Sequence, residues 1–272
     1  TGTNSKNMKP LIIIRGGGDL ATGIALRLHR VGFQITILEL DKPLAVRRTV
    51  SFSEAVYEGA QTVEGVTSRL VSADQFQVTM EAGEIAVLID PHANILKNQF
   101  LTSPQSTFVI DARLLKSEPE SLPAEVALHI GLGPGFTAGA NCHAVIETRR
   151  SHTLGRVYWE GNAQADSKQP DGDARRVLRA PVSGNMEALK KIGDVCKAGE
   201  KICLINNQPV VSPFDGILRG LIHPKVDVME GMKIGDVDSR NDPDLIRLVS
   251  DKSLAVAGGV LEVVFTKLAF GG

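Results

Sequence analysis

The N-terminal part of the chain alternates between apolar runs and a helical spacing of apolar positions. Residues 11–14 are a leucine and three isoleucines, the pattern of a strand buried on both faces of a parallel sheet. The next apolar residues recur every three or four positions, as on one face of a helix: Leu20, Ile24, Leu28 and Val31. Gly32 ends this pattern, and a second apolar run follows at residues 35–40. The sequence therefore predicts a strand-helix-strand unit whose two strands are neighbours.

Three further apolar runs have the length of buried strands, and a polar or glycine-rich turn follows each one. They lie at residues 85–89, 107–110 and 127–130. In open α/β sheets the carboxyl ends of the strands form the ligand crevice, so these turns are expected to converge on one cleft. The predicted cofactor-binding residues at this cleft are Asp90, Asp111, Arg113, Gly131, Gly133 and Gly135.

The strongest local motif is a glycine loop between the first predicted strand and the helix. It reads Gly16-x-Gly18-x-x-Ala21, with Glu39 at the end of the next strand. Such a loop brings N–H groups of a helix N-terminus to a pyrophosphate, and the acid accepts hydrogen bonds from ribose hydroxyls. The predicted nucleotide site comprises Gly16, Gly17, Gly18, Asp19, Ala21 and Glu39. Glu39 favours NAD or another unphosphorylated ribose; Asp19 opposes a phosphate, and the alternative is a tight turn that binds nothing.

Cys142 follows the glycine loop at residues 131–135 and is the candidate catalytic residue. Backbone N–H groups beside such a loop can lower the pKa of a thiol and make it nucleophilic, as a carrier of sulfur or selenium requires. The alternative is an inert buried cysteine. His143 is adjacent, and neighbouring side chains on an extended segment point to opposite faces, so no metal site is expected here.

The second half of the chain contains an internal near-repeat after a polar linker. Residues 162–173 have almost no large apolar side chains, and residues 180–184 then match residues 212–216. The two half-motifs resemble those of biotinyl and lipoyl carrier domains, which implies a small β-sandwich domain. The connection at residues 205–210 contains no lysine, so we expect no covalent biotin or lipoate.

These patterns together predict an α/β fold: a Rossmann-like parallel sheet domain, then a small all-β barrel-sandwich hybrid domain and a C-terminal helix. Residues 1–7 precede Met8 and are interpreted as a cloning remnant. The predicted boundaries are residues 8–161 for the nucleotide-binding domain, 162–175 for the linker, 176–241 for the hybrid domain and 242–272 for the helix. Gly258 and Gly259 lower helicity, and their presence predicts close packing of that helix.

Composition narrows the range of partners and compartments. Lys and Arg number 30 and Asp and Glu 31, so the chain lacks the basic excess of a nucleic-acid-binding protein. No apolar run reaches the roughly 18 residues that cross a bilayer. The three cysteines include no C-x-x-C pair and do not form a paired framework, so we expect their thiols to be reduced. We therefore expect a cytoplasmic protein with neither a membrane nor a nucleic acid as partner.

Several longer phrases follow one another in order along the chain. They lie at residues 15–23, 42–51, 131–136, 142–148, 218–220, 233–236, 250–252 and 258–262. Together they resemble the selenium-dependent molybdenum hydroxylase accessory proteins, over a stretch from about Met8 to the C-terminal helix. One departure is Asp238-Ser239-Arg240, where the resemblance leads us to expect proline between the acid and the arginine. The resemblance implies maturation of a molybdenum hydroxylase, by handling its selenium or its pterin cofactor.

The leading hypothesis is an accessory or maturation protein whose N-terminal cleft binds NAD, another nucleotide or the nucleotide-bearing molybdopterin dinucleotide. The resemblance implies the hydroxylase or its cofactor-insertion machinery as partners, and a homo-oligomer stays open. Two alternatives also stay open: an NAD-dependent oxidoreductase, and a non-catalytic chaperone that docks the hydroxylase. The sequence does not decide whether the chain is an enzyme.

Overall fold

The computed structural model describes residues 10–98, 102–167, 172–240 and 242–270. In this part of the chain the α-helices are α1 (Asp19–Arg30), α2 (Ala55–Glu58), α3 (Phe76–Glu81) and α4 (Asp251–Phe270). The first ten strands are β1 (Leu11–Arg15), β2 (Ile35–Glu39), β3 (Ala60–Val63), β4 (Val66–Leu70), β5 (Ile85–Ile89), β6 (Thr107–Asp111), β7 (Leu128–Leu132), β8 (Thr137–Ala138), β9 (Ala144–Ile146) and β10 (Val157–Tyr158). The remaining strands are β11 (Gly161–Asn162), β12 (Val177–Arg179), β13 (Met186–Ala188), β14 (Val195–Cys196), β15 (Lys201–Ile205), β16 (Gln208–Val211), β17 (Gly216–Leu221) and β18 (Lys233–Asp238). Single turns of 3₁₀ helix lie at Arg48–Val50, Phe52–Glu54, Asn94–Lys97, Ala174–Arg176 and Pro243–Ile246.

The main sheet has nine strands in the order β10-β9-β7-β6-β1-β2-β5-β4-β3. The strands from β9 to β4 pair in parallel, whereas β10 and β3 add antiparallel at the two edges. The β-branched run of β1 lies at the centre, which explains why it needs apolar residues on both faces. Ile12 and Ile14 face one apolar cluster, and Ile13 faces another on the opposite side.

Helices α1 and α4 pack against each other on the face of the main sheet that Ile12 and Ile14 occupy. One glycine of each helix allows a close contact, Gly23 with α4 and Gly259 with the segment between β9 and β10. A side chain at Gly23 of α1 would collide with Ser253 of α4, and one at Gly259 would collide with the carbonyl oxygen of Gly155. The predicted close packing is therefore confirmed at Gly259, while Gly258 faces open space.

The segment after residue 172 forms two small antiparallel sheets around one apolar cluster. One sheet has the order β12-β18-β17-β14 and the other the order β13-β15-β16. Gly216 allows the main chain of β18 to approach, because a Cβ there would overlap the carbonyl oxygen of Asp238. The two sheets contact the first part of the chain through Val46, whose carbonyl oxygen accepts the N–H of Leu221.

The predicted fold class, a Rossmann-like parallel sheet domain followed by a barrel-sandwich hybrid and a C-terminal helix, is wrong. The main sheet is mixed, and it is accompanied by separate antiparallel sheets of two, four and three strands. The connection from β6 to β7, which the structure describes throughout, contains no helix, so the sheet lacks the regular alternation of strands and helices. The short strands near both sheet edges escaped prediction because they are too brief to show a periodic pattern.

Helix α4 is long and apolar enough to cross a membrane by length and composition alone. Part of its apolar surface packs in the protein core: Val256, Val260, Val263 and Val264 are fully buried in the cluster shared with α1 and the main sheet. One face of α4 therefore belongs to the core, while Phe265, Leu268 and Phe270 near its end are exposed.

Candidate functional site

The glycine loop after β1 is closely packed against another part of the same chain. A Cβ at Gly17 would lie 2.9 Å from the backbone nitrogen of Ser53, and the Ser53 N–H donates a hydrogen bond to the carbonyl oxygen of Gly17 at 2.9 Å. Gly16 has φ +87°, which only glycine adopts readily. Gly18, at the start of α1, faces open space. The backbone conformation thus explains the glycine at position 16, and the contact with Ser53 explains the glycine at position 17.

The carboxylate of Glu39 holds this loop in place. One oxygen, Oε1, accepts the N–H of Gly17 at 2.6 Å, and Oε2 accepts the N–H of Leu40 at 2.8 Å. Burial raises the pKa of Glu39, and the two backbone hydrogen bonds oppose that effect. Both oxygens therefore have partners within the chain, and the predicted role in ribose binding stays a prediction.

The first turn of α1 carries Asp19 and Ala21. Asp19 accepts the N–H of Leu20 at 3.0 Å and lies 3.4 Å from the guanidinium of Arg47. Ala21 is buried at the base of the turn. The hydroxyl of Ser253 donates to the carbonyl oxygen of Asp19 at 2.8 Å, which joins α4 to the same turn.

An ion-pair network joins the carboxyl ends of β1 and β6. Arg15 and Asp111 are register partners, and both side chains are almost fully buried. Asp111 accepts from Arg15 Nη1 at 3.3 Å and from Arg113 Nη2 at 2.6 Å. Burial acts to raise the pKa of Glu120, but hydrogen bonds from Arg113 and Arg15 lower it to about 2. The structure thus places Asp111 and Arg113 in one network whose charges compensate one another.

Asp90 lies at the end of β5 and caps the following 3₁₀ helix. Its oxygens accept the N–H groups of Asn94 at 2.9 Å and of Ile95 at 2.8 Å. This is the turn-stabilising role that Asp commonly has before a helical turn. Its partners do not include Asp111 or the glycine loop after β1.

The second glycine loop, residues 131–135, also packs tightly on the chain. A Cβ at Gly131 would overlap the ring of Phe136, and one at Gly135 would lie 2.6 Å from the carbonyl oxygen of Leu115. Gly133 has φ +86°. Gly131 and Gly135 thus permit the close approach of neighbouring segments, and Gly133 adopts a backbone conformation that favours glycine.

Cys142 lies in a small apolar cluster with Phe136, Val145 and Ala163. Its side chain is 8% exposed. Burial raises the pKa of the Cys142 thiol to about 11, although the N–H groups of Gly131 and Ala144 act in the opposite direction. The thiol is therefore protonated at neutral pH, and its surroundings differ from those of a nucleophilic cysteine.

A large cleft opens between the first turn of α1, the start of α4 and the four-stranded sheet. Its volume is about 820 Å³. Among the described residues, seven basic and seven acidic side chains line it, together with Leu114, Phe214 and Leu248. Of the predicted site residues, all of which the structure describes, only Asp19 belongs to this lining. The glycine loops and Glu39 are not part of its lining.

The wall of this cleft that belongs to β17 and β18 is an ion-pair network. Asp236 is paired with Arg176 and lies 3.0 Å from Arg219. Asp238 accepts from Arg219 at 3.0 Å and from Arg240 at 2.8 Å. Hydrogen bonds from Arg240 chiefly lower the pKa of Asp238 to about 2, although burial opposes them. Asp238 is therefore ionised at neutral pH, and the two carboxylates hold the arginines in fixed positions at the cleft.

Sequence reasoning missed Arg176 and Arg219 as cleft residues. The alternation of charged and apolar residues at 233–240 was the available signal. Residues two apart on a strand share one face, so Asp236 and Asp238 had to point the same way. Their basic partners come from other elements, which no local pattern reveals.

A separate cluster joins α2 to the turn after β17. Ligand atoms of Glu54, Glu58 and His223 lie within 4.8 Å of one another, and the ring of His223 stacks on Tyr57 at 3.8 Å. Two of the three groups already have partners: Glu54 pairs with Arg48, and His223 Nδ1 accepts the N–H of Lys225 at 3.2 Å. These contacts favour an interface between the two parts of the chain over a metal centre.

Comparison with known proteins gives one clear relative. No protein-family model matches the chain. The chain is 43% identical over 260 residues to "Uncharacterized protein YqeB" of Escherichia coli (strain K12), covering 93% of this chain and 47% of that protein. It thus spans about half the length of the curated relative it matches.

Solved structures resemble the chain only weakly. A succinylglutamate desuccinylase/aspartoacylase from Rhodobacter sphaeroides aligns with a TM-score of 0.25 and 10% identity, over 84% of this chain and 85% of that one. The product-bound ectoine utilization protein EutE (DoeB) from Ruegeria pomeroyi aligns with a TM-score of 0.24 and 14% identity, with coverage of 84% and 85%. Scores this low do not define a shared fold.

Proposed function

We propose that this chain is a cytoplasmic accessory protein in the maturation of a selenium-dependent molybdenum hydroxylase. In this proposal it binds a nucleotide, or the nucleotide-bearing pterin cofactor, in the large cleft beside α1. The maturation role is supported by the resemblance of the ordered phrases in the sequence. The binding role is supported by one observation above all, the cleft of about 820 Å³ lined by an arginine network and an apolar wall.

The size and lining of the cleft suit such a ligand. Sites for small molecules and cofactors usually occupy about 300–1,000 Å³ and combine apolar walls with a few fixed polar groups. The ring of Phe214 lines the cleft, and Arg175 lies 5.8 Å from its centre. Leu248 is 49% exposed on the same cleft. These side chains offer an apolar surface on which a base or pterin ring can stack.

The basic side chains of the cleft can bind the phosphate groups of such a ligand. Arg219 is held by two carboxylates, so its guanidinium is already oriented before a ligand arrives. Arg240 is 66% exposed and pairs with Asp238 alone among the described side chains. Arginine binds phosphate through paired N–H groups, and prior orientation reduces the entropy lost on binding. Arg240 is the side chain most accessible to a phosphate in this network.

Binding can be tested by titration calorimetry with AMP, ADP, NAD and CMP. Phe214→Leu removes the stacking surface and Arg240→Gln removes the accessible cation, so each is expected to weaken binding at least tenfold. Lys201→Gln is the matched control, because Lys201 is exposed on β15 and lines neither this cleft nor its neighbour. If no nucleotide binds, or if both cleft variants bind like wild type, the binding role is wrong.

The maturation role needs a separate measurement. Native mass spectrometry of the protein purified from a host supplied with molybdenum and selenium is expected to show a retained adduct with the mass of a nucleotide or pterin nucleotide. The Phe214→Leu variant, prepared in parallel, is expected to lose that adduct. A hydroxylase that acquires full activity in cells lacking this protein would contradict the role directly.

A further inference from the structure

A second, smaller cavity adjoins the large cleft on the far side of Arg176 and Lys233. Its volume is about 320 Å³. Six basic side chains line it within the described part of the chain: Lys116, Arg149, Arg176, Arg179, Lys233 and Lys252. Among the described residues of the lining, Asp166 is the only acidic one. The large cleft, by contrast, has equal numbers of described acidic and basic residues.

The six basic residues come from six different parts of the chain. Lys116 follows β6, Arg149 follows β9, and Arg176 ends a 3₁₀ helix. Arg179 ends β12 and Lys233 begins β18, whereas Lys252 belongs to the first turn of α4. The fold therefore gathers like charges that the sequence separates, and such a gathering opposes folding unless an anion offsets it.

Internal partners offset only part of this positive charge. Lys116 pairs with Asp166, and Arg176 pairs with Asp236. Lys233 lies 3.7 Å from the same Asp236, so two of the cations share one carboxylate. Burial lowers the pKa of Lys233, Asp236 opposes that shift, and Arg176 adds to it. Arg149 and Arg179 have no carboxylate partner among the described residues, so these two cations of the lining are not offset by an internal ion pair.

Arg179 shows that the cavity has donors still available to a ligand. Its Nη1 donates to the carbonyl oxygen of Gly231 at 2.8 Å, a neutral acceptor that leaves the charge of the guanidinium unbalanced. The side chain is exposed, which lets it turn toward the cavity. An arginine in this state can donate to a phosphate oxygen without breaking an ion pair.

We propose that this cavity binds a compact polyanion of the pyrophosphate class. A small group with several negative charges matches a lining with six cations and one described acid, whereas the volume lies at the lower limit for a ligand that also carries a ring system. The pyrophosphate group can come from free pyrophosphate or from the diphosphate of a larger molecule that extends into the large cleft. The site does not require the proposed function of that cleft, because free pyrophosphate alone would occupy it.

Titration calorimetry with sodium pyrophosphate, orthophosphate and sulfate at constant ionic strength tests the proposal. Pyrophosphate is expected to bind at least tenfold more tightly than the other two ions. Arg179→Gln and Lys116→Gln are each expected to weaken pyrophosphate binding about tenfold. Lys201→Gln, outside the cavity, is expected to bind like wild type. Circular dichroism spectra confirm that each variant is folded.

One variant is expected to act in the opposite direction. Asp166→Asn removes a negative charge from the lining and is expected to tighten pyrophosphate binding several-fold. Titration with ADP identifies the source of the pyrophosphate group. If ADP binds more tightly than pyrophosphate and this binding is lost in Phe214→Leu, the ligand is the diphosphate of a larger molecule. If ADP and pyrophosphate bind equally, the ligand is free pyrophosphate. The proposal is overturned if pyrophosphate binds no better than sulfate, or if neither Arg179→Gln nor Lys116→Gln weakens it.

Discussion

Replacement of Asp111 by asparagine tests whether this residue stabilises the fold or belongs to a ligand site. Its side chain is fully buried and accepts hydrogen bonds from Arg15 and Arg113. Asn is nearly the same size but neutral, so Asp111→Asn leaves the packing intact and removes one charge. The buried guanidinium of Arg15 then loses its buried counter-ion.

The size of the effect follows from what Arg15 keeps. Removing one partner of a buried ion pair usually costs about 3–5 kcal/mol. Arg15 retains Glu120 at 2.5 Å and the carbonyl oxygen of Pro91 at 3.0 Å, and Glu120 is 52% exposed. We therefore expect a loss near the lower limit, about 3 kcal/mol. For a chain of this length this corresponds to a decrease in Tm of roughly 6–12 °C.

Urea unfolding followed by far-ultraviolet circular dichroism measures the change in the free energy of unfolding. The matched control is Asp173→Asn, whose partner Arg175 is 71% exposed, and exposed pairs contribute at most about 1 kcal/mol. Nucleotide binding by the folded Asp111→Asn protein is expected to be unchanged. A variant as stable as wild type that no longer binds nucleotide would refute this reasoning and restore Asp111 to the ligand site.

Three further predictions concern substitutions or labelling of individual residues. Iodoacetamide at pH 7.5 is expected to label Cys142 only after denaturation, because its pKa is raised to about 11, and fast labelling of the native protein would contradict this. Burial lowers the pKa of His129 to about 4, whereas the pKa of the unfolded state is near 6.5, so the unfolded state binds more protons between these two pH values. The free energy of unfolding therefore falls as the pH is lowered from 6.5 to 4, and in urea unfolding the His129→Gln variant should show a smaller dependence on pH. In α4, Gly258→Ala should raise the free energy of unfolding by up to about 1 kcal/mol, whereas Gly259→Ala should lower it by about 1–3 kcal/mol, because a Cβ at position 259 meets Gly155. Equal effects of the two variants in urea unfolding would contradict the packing of this helix.

The sequence predicts the central elements of the fold well, because their signals are local. The apolar run at 11–14 is β1, and the helical spacing that begins at Leu20 is α1, which ends at Arg30. Both depend on residues within one or two turns of each other. The class of the fold was predicted wrongly because it depends on how edge strands such as β3 and β10 pair, and those strands have two to four residues each.

The predicted site residues show why a motif alone does not distinguish a nucleotide site from a closely packed turn. A glycine loop, a strand and an acid in register are what a nucleotide site requires, but a closely packed turn requires the same residues. Glu39 and Gly17 differ by 22 positions, a spacing short enough for the motif to include both. Ser53, which occupies the space beside Gly17, belongs to no part of that motif. The choice between the two functions thus depends on a residue that the pattern does not contain.

The cleft residues show the opposite case, in which a local pattern was present and its meaning was missed. Asp236, Asp238 and Arg240 alternate along β18 and just beyond it, and two buried acids on one face of a strand require cations opposite them. That requirement alone predicts arginine or lysine partners from neighbouring strands. Arg219 on β17 is such a partner, since β17 and β18 pair directly. Charged residues at strand spacing therefore mark one side of this wall of the cleft, whereas the identity of their partners depends on the pairing of β17 with β18.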